Sequence, residues 1–178
     1  MDSINKQSPE QNVEDLYGKA AQEKMKELCQ KATVCFFCTE GDDGKPMATR
    51  PMAIRRFDDE GCLWFLSSKD SHKNRQIQQH SSVHLMFQGS DYSDFLSLYG
   101  KAIITYDEQK IKELWNPMLK TWFTDGVDDE RISVIKVEPD EGYYWDTKHN
   151  QAIGFVKRLA GSMIGQTLDD SIEGELRP

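Results

Sequence analysis

LSSKDSHKNRQI, running from Leu66 to Ile77, follows the apolar run Leu63, Trp64, Phe65. It packs Ser67, Ser68, Ser71, Lys69, Lys73, His72 and Arg75 into twelve residues of a chain whose formal net charge is -8. Hydroxyls and cations at the exit of an apolar strand suit an anion such as a phosphate. Asp70 or Ser71 can cap a short helix, which puts His72 and Lys73 in its first turn. Cations there oppose the helix dipole by about 0.3–1 kcal/mol, and a bound anion reverses that sign. One hairpin earlier, in TRPMAIRR, period-2 alternation puts Arg50, Met52, Ile54 and Arg56 on one face and Arg55 on the other. An arginine of this strand beside the Ser/Lys cluster could grip a phosphate bidentately while Lys73 acts as a point charge. Pro51 cannot donate to a ladder, which places this part of the strand at an edge or bulge. Read from the residues alone, the same stretch also fits a surface loop of solvated charges.

Other reactive constellations are weaker. Cys35 and Cys38 form a C-x-x-C, but in a β-branched and aromatic run rather than at a helix N-terminus, where a redox pair needs its first thiol. The expectation is strand packing. His80 and His84 have the i, i+4 spacing of a helical metal pair, but His84 opens an apolar strand and breaks that geometry, so no metal is expected. No Ser/His/Asp nucleophile motif is present.

These side chains need a scaffold. Ser8, Pro9 and Gln11 read as a helix start, and the spacing of Val13, Leu16, Tyr17, Ala20, Ala21 and Leu28 predicts a helix over 8–30. TVCFFCTE, MATRPMAIRRF and CLWFLS read as strands joined by the turns GDDGKP and DDEG. A helix over about 71–79 follows, then the strands SVHLMFQ and FLSLYGKAIITY, with Gly100 marking a bulge. Asp107 caps a helix to about Trp115, and ISVIKVEP and GYYWD read as two further strands. A C-terminal extension over 147–178 is expected to be partly flexible, beginning as a helix near Ile153 and ending in the solvated LDDSIEGELRP. The sum is one domain, mainly β with flanking helices: a six- to seven-stranded antiparallel barrel over 33–146, closed or nearly closed.

The chain has 178 residues, 38% hydrophobic and 29% charged, the profile of a soluble globular domain. Its negative charge disfavours nucleic acid and anionic membrane as partners. No apolar run is long enough to span a bilayer, and the polar start lacks a secretory signal, so a cytoplasmic location with free thiols is expected.

TRPMAIRRFDDEGCLWFLSSKDSHKNRQI resembles the flavin-binding segment of the pyridoxamine 5'-phosphate oxidase-like split-barrel family. That pattern is R-P-M on a strand, a D-x-D/E-G turn, an aromatic strand, then T/S-x-x-S-x-K-x-x-Q-I into a helix. VHLMFQ, YGKAIIT and WFTDGVDDERISVIKVEPDEGYYWD extend the likeness, the last toward the general stress protein 26 branch, so that it covers roughly 14–146. The resemblance implies a split barrel and a homodimer with flavin mononucleotide (FMN) at the subunit interface. It implies that Arg50 and Lys73 hold the phosphate, helped by Ser67, Ser68 and Ser71 or His72. Pro51 and Met52 would lie along the isoalloxazine, Gln88 would reach the flavin or the neighbouring chain, and Trp122 or Trp145 would flank the ring; Met52 and both tryptophans also suit a core. True pyridoxamine phosphate oxidases carry a C-terminal Arg-Leu-His that is absent from YYWDTKHNQAIGFVKRL, and Arg55 stands alone where they have a substrate-contacting lysine. Vitamin B6 oxidation is therefore not expected. The resemblance implies instead an FMN-dependent oxidoreductase working with a small-molecule electron donor or acceptor. The alternatives are a non-catalytic flavin store or stress sensor and, through His149, a haem-binding relative.

Overall fold

The computed structural model describes residues 12–41, 47–91, 93–148 and 171–178. Its strands are β1 (Leu16–Tyr17), β2 (Val34–Thr39), β3 (Ala48–Ala53), β4 (Arg56–Phe57), β5 (Leu63–Ser68), β6 (Ser82–Gln88), β7 (Phe95–Thr105), β8 (Ile132–Thr147) and β9 (Ser171–Arg177). The helices are α1 (Gly18–Ala32), α2 (His72–Gln79) and α3 (Glu108–Leu114), followed by 3-10 turns at Pro117–Thr121 and Gly126–Asp128. The path is β1-β9-β8-β7-β6-β2-β3, with β5 added to β8 and β4 to β5. All pairings are antiparallel except β1 with β9.

The mainly β architecture with flanking helices matches the expectation, but among the described residues the sheet has nine strands and does not close on itself. The extended segment 48–57 leaves β2 at Ala53 and takes up β5 at Arg56. Between them the Ile54 amide bonds Thr33 O (2.9 Å) and the Arg55 amide bonds Trp64 O (2.8 Å). This change of partner leaves the far edge of β3 without a strand among the described residues, as Pro51 suggested.

Alternation fixes what is inside. On β5, Leu63, Phe65 and Ser67 are buried while Trp64, Leu66 and Ser68 are half-buried. Phe37 and Phe65 meet edge-to-face at 5.3 Å in the barrel core, a geometry worth about 0.5–1.5 kcal/mol beyond area burial. Trp64 and Leu66 face the other way, into a smaller core with Ile111 and Leu114 of α3, Phe123, Ile132 and Val134. That second core anchors the segment after α3 beside the end of β5.

Three expectations about elements need correction. Helix α1 begins at Gly18, whose φ is +53°, and residues 8–11 lie outside the described residues. Val13 makes an isolated bridge to Glu173, and Leu16–Tyr17 is a strand; apolar residues three apart serve a helix face and an edge strand alike, and spacing alone does not separate the two. ISVIKVEP and GYYWD form a single sixteen-residue strand, β8. Its Pro139 lies at the register shift opposite Gly100, where the ladder is already interrupted. The charged end of the extension, read as solvated, is strand β9, inserted between β8 and β1. The proposed helix near Ile153 lies outside the described residues.

Candidate functional site: a cationic groove beside the open edge of β3

A groove of about 600 Å³ runs along the free edge of β3. Pro51, Met52 and Ala53 form one wall, the end of β5 (Leu66, Ser67, Ser68) the floor, and Leu119, Trp122 and Phe123 the other wall. Lys73, Arg55 and Arg131 also line it, and no Asp or Glu does among the described residues. In a chain of net charge -8, that local excess of cations is a selection for anions.

The first turn of α2 is built as the sequence suggested, with Ser71 as its N-cap. The serines do not all face a ligand. Ser67 Oγ lies 2.8 Å from Asn74 Oδ1 and 3.2 Å from Ser71 Oγ. Asn74 Nδ2 donates to Ser133 Oγ (2.8 Å), which donates to Ser67 O (3.0 Å). This buried network pins the start of α2 to β5 and β8, and Asn74 and Ser133 were not legible as members. Ser68 is left half-buried in the groove.

Lys73 is half-buried, has no hydrogen-bond or ion-pair partner among the described residues, and has its pKa lowered first by burial and then by the charge of Arg50. Arg50 stands close behind the groove. Its Nη1 donates to Thr39 Oγ1 (2.6 Å) and Phe37 O (3.4 Å), and its Nη2 to Gln76 Oε1 (3.0 Å). Two cations near one another, one of them shielded from water, make a place where a dianion lowers the free energy of both.

Of the other sequence candidates, Pro51, Met52, Ser67, Ser68 and Trp122 are in the groove, and Trp122 is 66% exposed. Ser71 stands behind Ser67. His72 is exposed and its Nδ1 meets Arg75 Nη2 at 2.9 Å, outside the lining. Gln88 is exposed at the end of β6, where its Nε2 donates to Ser90 O (3.1 Å). Trp145 leans on Tyr143 (centroids 4.7 Å apart) on β8, four ladders from β3. Within one chain the structure does not bring His72, Gln88 or Trp145 into the groove.

Arg55 is not alone. Its Nε donates to Leu114 O (3.2 Å), and Arg131 lines the same groove. Arg131 donates Nε and Nη2 to the carboxylate of Asp129 (2.9 and 2.6 Å) and Nη2 to Trp122 O (3.5 Å). Those hydrogen bonds hold the Asp129 carboxyl down at about 2. The signal was present in the sequence: a Trp-Phe pair followed by Asp-x-Arg.

The cysteines take no part. All four thiols are free and buried, and burial pushes Cys35 up to about 12. Cys35 and Cys38 sit on β2 as strand packing required. The one cluster of metal-ligand type among the described residues is Asp58, Glu60 and Cys62, in a turn. There Asp58 already accepts from the Cys62 amide (2.8 Å) and Trp64 Nε1 (2.6 Å). His84 bonds Ser97 rather than His80, and His149 lies outside the described residues.

Comparison with known proteins bears on the family and the fold. The profile of the family described as "Pyridoxamine 5'-phosphate oxidase like" matches residues 20–169. General stress protein 26 of Bacillus subtilis is 30% identical over 89 residues, covering 48% of this chain and 62% of that protein. The chain spans about three fifths of the length of the curated relatives it matches. Among solved structures, a putative general stress protein 26 from Jannaschia sp. CCS1 superposes with a TM-score of 0.72 at 17% identity, covering 88% of this chain and 97% of the other. The general stress FMN/FAD binding protein of Xanthomonas citri superposes with a TM-score of 0.59 at 23% identity, covering 70% and 87%. At such identities these two likenesses establish the fold, the split barrel.

Proposed function

This chain belongs to the pyridoxamine 5'-phosphate oxidase-like family, and from that premise we propose that it is an FMN-binding flavoprotein of the general stress protein 26 type, an oxidoreductase working on a small molecule. The observation that carries the reading is Lys73, half-buried beside Arg50 with no partner among the described residues, at the mouth of an acid-free groove. That arrangement fits the phosphate of FMN independently of family. A bound flavin supplies hydride and electron transfer; the chain supplies position and field. Lys73 and Arg50 take the phosphate, with the Ser68 hydroxyl beside them. The edge of β3 at Pro51 and Met52 offers backbone to the ring, and Trp122 and Phe123 screen the opposite side from water. Arg55 adds positive charge to the remainder of the groove, Arg131 being paired with Asp129, and this favours anionic reaction partners. The relative from Xanthomonas citri, described as binding FMN or FAD, supports the cofactor class.

The reading extends to a homodimer. The outer face of β2, β6 and β7 exposes Val34 (45%), Phe36 (56%) and Tyr99 (49%), with His84 stacked on Tyr99 at 4.1 Å. An apolar face next to the open edge of β3 suits a second copy, whose Gln88 or Trp145 would then reach the flavin. A flavin-binding protein without turnover is the second reading, since the described lining residues include no Asp, Glu or His; reduction of the bound flavin by a nicotinamide nucleotide separates the two.

The test is titration of FMN and riboflavin by flavin fluorescence. FMN is expected to bind well and riboflavin poorly. Arg50→Ala and Lys73→Ala are each expected to cost about 2–4 kcal/mol, the range for removing one partner of a buried charge pair, or roughly 30- to 1,000-fold in Kd. Lys69→Ala and Arg75→Ala, outside the groove, are expected to change binding by less than ~1 kcal/mol. Equal losses at all four positions, or none at Arg50 and Lys73, would overturn the assignment.

A further inference from the structure

Gln76 lies on α2 one turn beyond Lys73, is only 4% exposed, and faces inward rather than toward the groove. Its Oε1 accepts two hydrogen bonds, from Thr39 Oγ1 (2.6 Å) and from Arg50 Nη2 (3.0 Å). Thr39, itself 2% exposed, in turn accepts from Arg50 Nη1 (2.6 Å). Arg50 is thus gripped at both terminal nitrogens by a threonine from β2 and a glutamine from α2, and these two anchors are uncharged.

We propose that Gln76, through Thr39, is the positioning residue that fixes the Arg50 guanidinium beside Lys73 without cancelling its charge, and so sets how strongly the groove prefers a phosphate-bearing ligand. This deepens the flavin reading above and rests on the same anion site.

The chemistry favours an amide here over a carboxylate. A carboxylate at position 76 would make a stronger, charge-assisted bond to Arg50. It would also place a negative charge behind the cations, subtracting from the field a dianion meets. An apolar residue would leave the field intact but release the guanidinium. Arg50 would then lose ordering that must be re-established on binding. The amide alone combines a fixed direction with no added charge. The anchor also links two elements that the anion touches, because Gln76 and Lys73 share α2 while Thr39 on β2 and Arg50 on β3 lie on a diagonal of one ladder, Arg50 opposite Phe37 and Thr39 opposite Ala48. Seating the anion and seating α2 are then one event.

The measurement is the ratio of riboflavin Kd to FMN Kd, together with the rise in melting temperature that inorganic phosphate gives the flavin-free protein. Gln76→Glu, close to isosteric and able to pair with Arg50, is expected to fold. It should lower the ratio by about tenfold or more while riboflavin affinity stays within about twofold. It should also abolish the phosphate effect. Gln76→Leu and Thr39→Val are expected to lower the ratio in the same direction, and Thr39→Ser to restore it. A Gln76 that merely packs would shift the melting temperature in every variant and leave the ratio untouched. A ratio and a phosphate effect equal to wild type in Gln76→Glu would overturn the proposal, as would a wild type that neither prefers FMN nor responds to phosphate. If the wild type binds no flavin but responds to phosphate, and Gln76→Glu does not, the flavin reading falls and the role of Gln76 stands.

Discussion

At Lys73 two unfavourable terms coincide, burial and the charge of Arg50, and the chain supplies no described counter-charge. Asp94 shows the opposite arrangement. Burial would raise its pKa, but hydrogen bonds from Lys31 (2.6 Å), Ser90 and Ser93 outweigh that and hold it below the ordinary carboxylate value. A depressed folded-state pKa contributes stability that is present above the unfolded pKa and lost as pH falls through the folded one. Asp94→Asn, which tolerates the positive φ of 60° at this position, is therefore expected to be less stable than wild type near neutrality. The difference should vanish well below the unperturbed carboxylate pKa of about 4, as read by urea unfolding at both ends. At this scale the sequence was legible where a residue type has one strong use. Lys73, Ser71, Asp107 and Pro51 sit where capping, charge and ladder rules put them. Gln76 stood in the S-x-x-S-x-K-x-x-Q-I pattern without a role, and Asn74 and Ser133 were opaque, because a buried amide or hydroxyl is specified by partners far along the chain that no local pattern encodes.

Among elements, α2, α3, β5, β6 and the bulge at Gly100 follow from local chemistry, whereas β1 and β9 do not. Each is short or charged, and each exists because the other half of the sheet supplies its hydrogen bonds. Gly174 records how tightly β9 is inserted: a Cβ there would collide with the backbone carbonyl oxygen of Glu14. Backbone this close cannot relax by rotating a side chain. Gly174→Ala is expected to destabilise the protein by about 2–4 kcal/mol, in the range of severe overpacking. Arg177→Ala, exposed at the other end of β9 with only a surface ion pair to Glu175, is expected to stay within about 1 kcal/mol. Thermal unfolding of the two variants distinguishes an integral β9 from a loosely attached one. Equal stability would mean that the strand is not an integral part of the sheet.

For the molecule as a whole, the site lies along an edge of the sheet. The edge of β3 is open, and the apolar residues Val34 and Phe36 lie next to it and exposed. Sedimentation is expected to give a dimer at micromolar concentration with FMN present. Phe36→Asp, a charge on the outer face that leaves the barrel core alone, is expected to shift the protein toward monomer and weaken FMN binding together. A monomeric wild type would separate the groove from any partner. The overall class was legible because alternation and turn chemistry repeat along the chain. Strand count and closure were not, since they depend on which edge a segment such as 48–57 chooses after its bend.

The pairing of β1 with β9 also bears on how the protein is made. Leu16 lies beside Leu176, so residues from opposite ends of the domain occupy neighbouring strands. A nascent chain synthesised from its N-terminus exposes Val13–Tyr17 long before Ser171–Arg177 exists. During that interval the 142–147 half of β8 has one ladder edge unfilled, and so does β1. Such an edge is a template for pairing with other chains. Slow translation through the last stretch would prolong that exposure, and the yield of native protein would then be set by how quickly the final strand arrives.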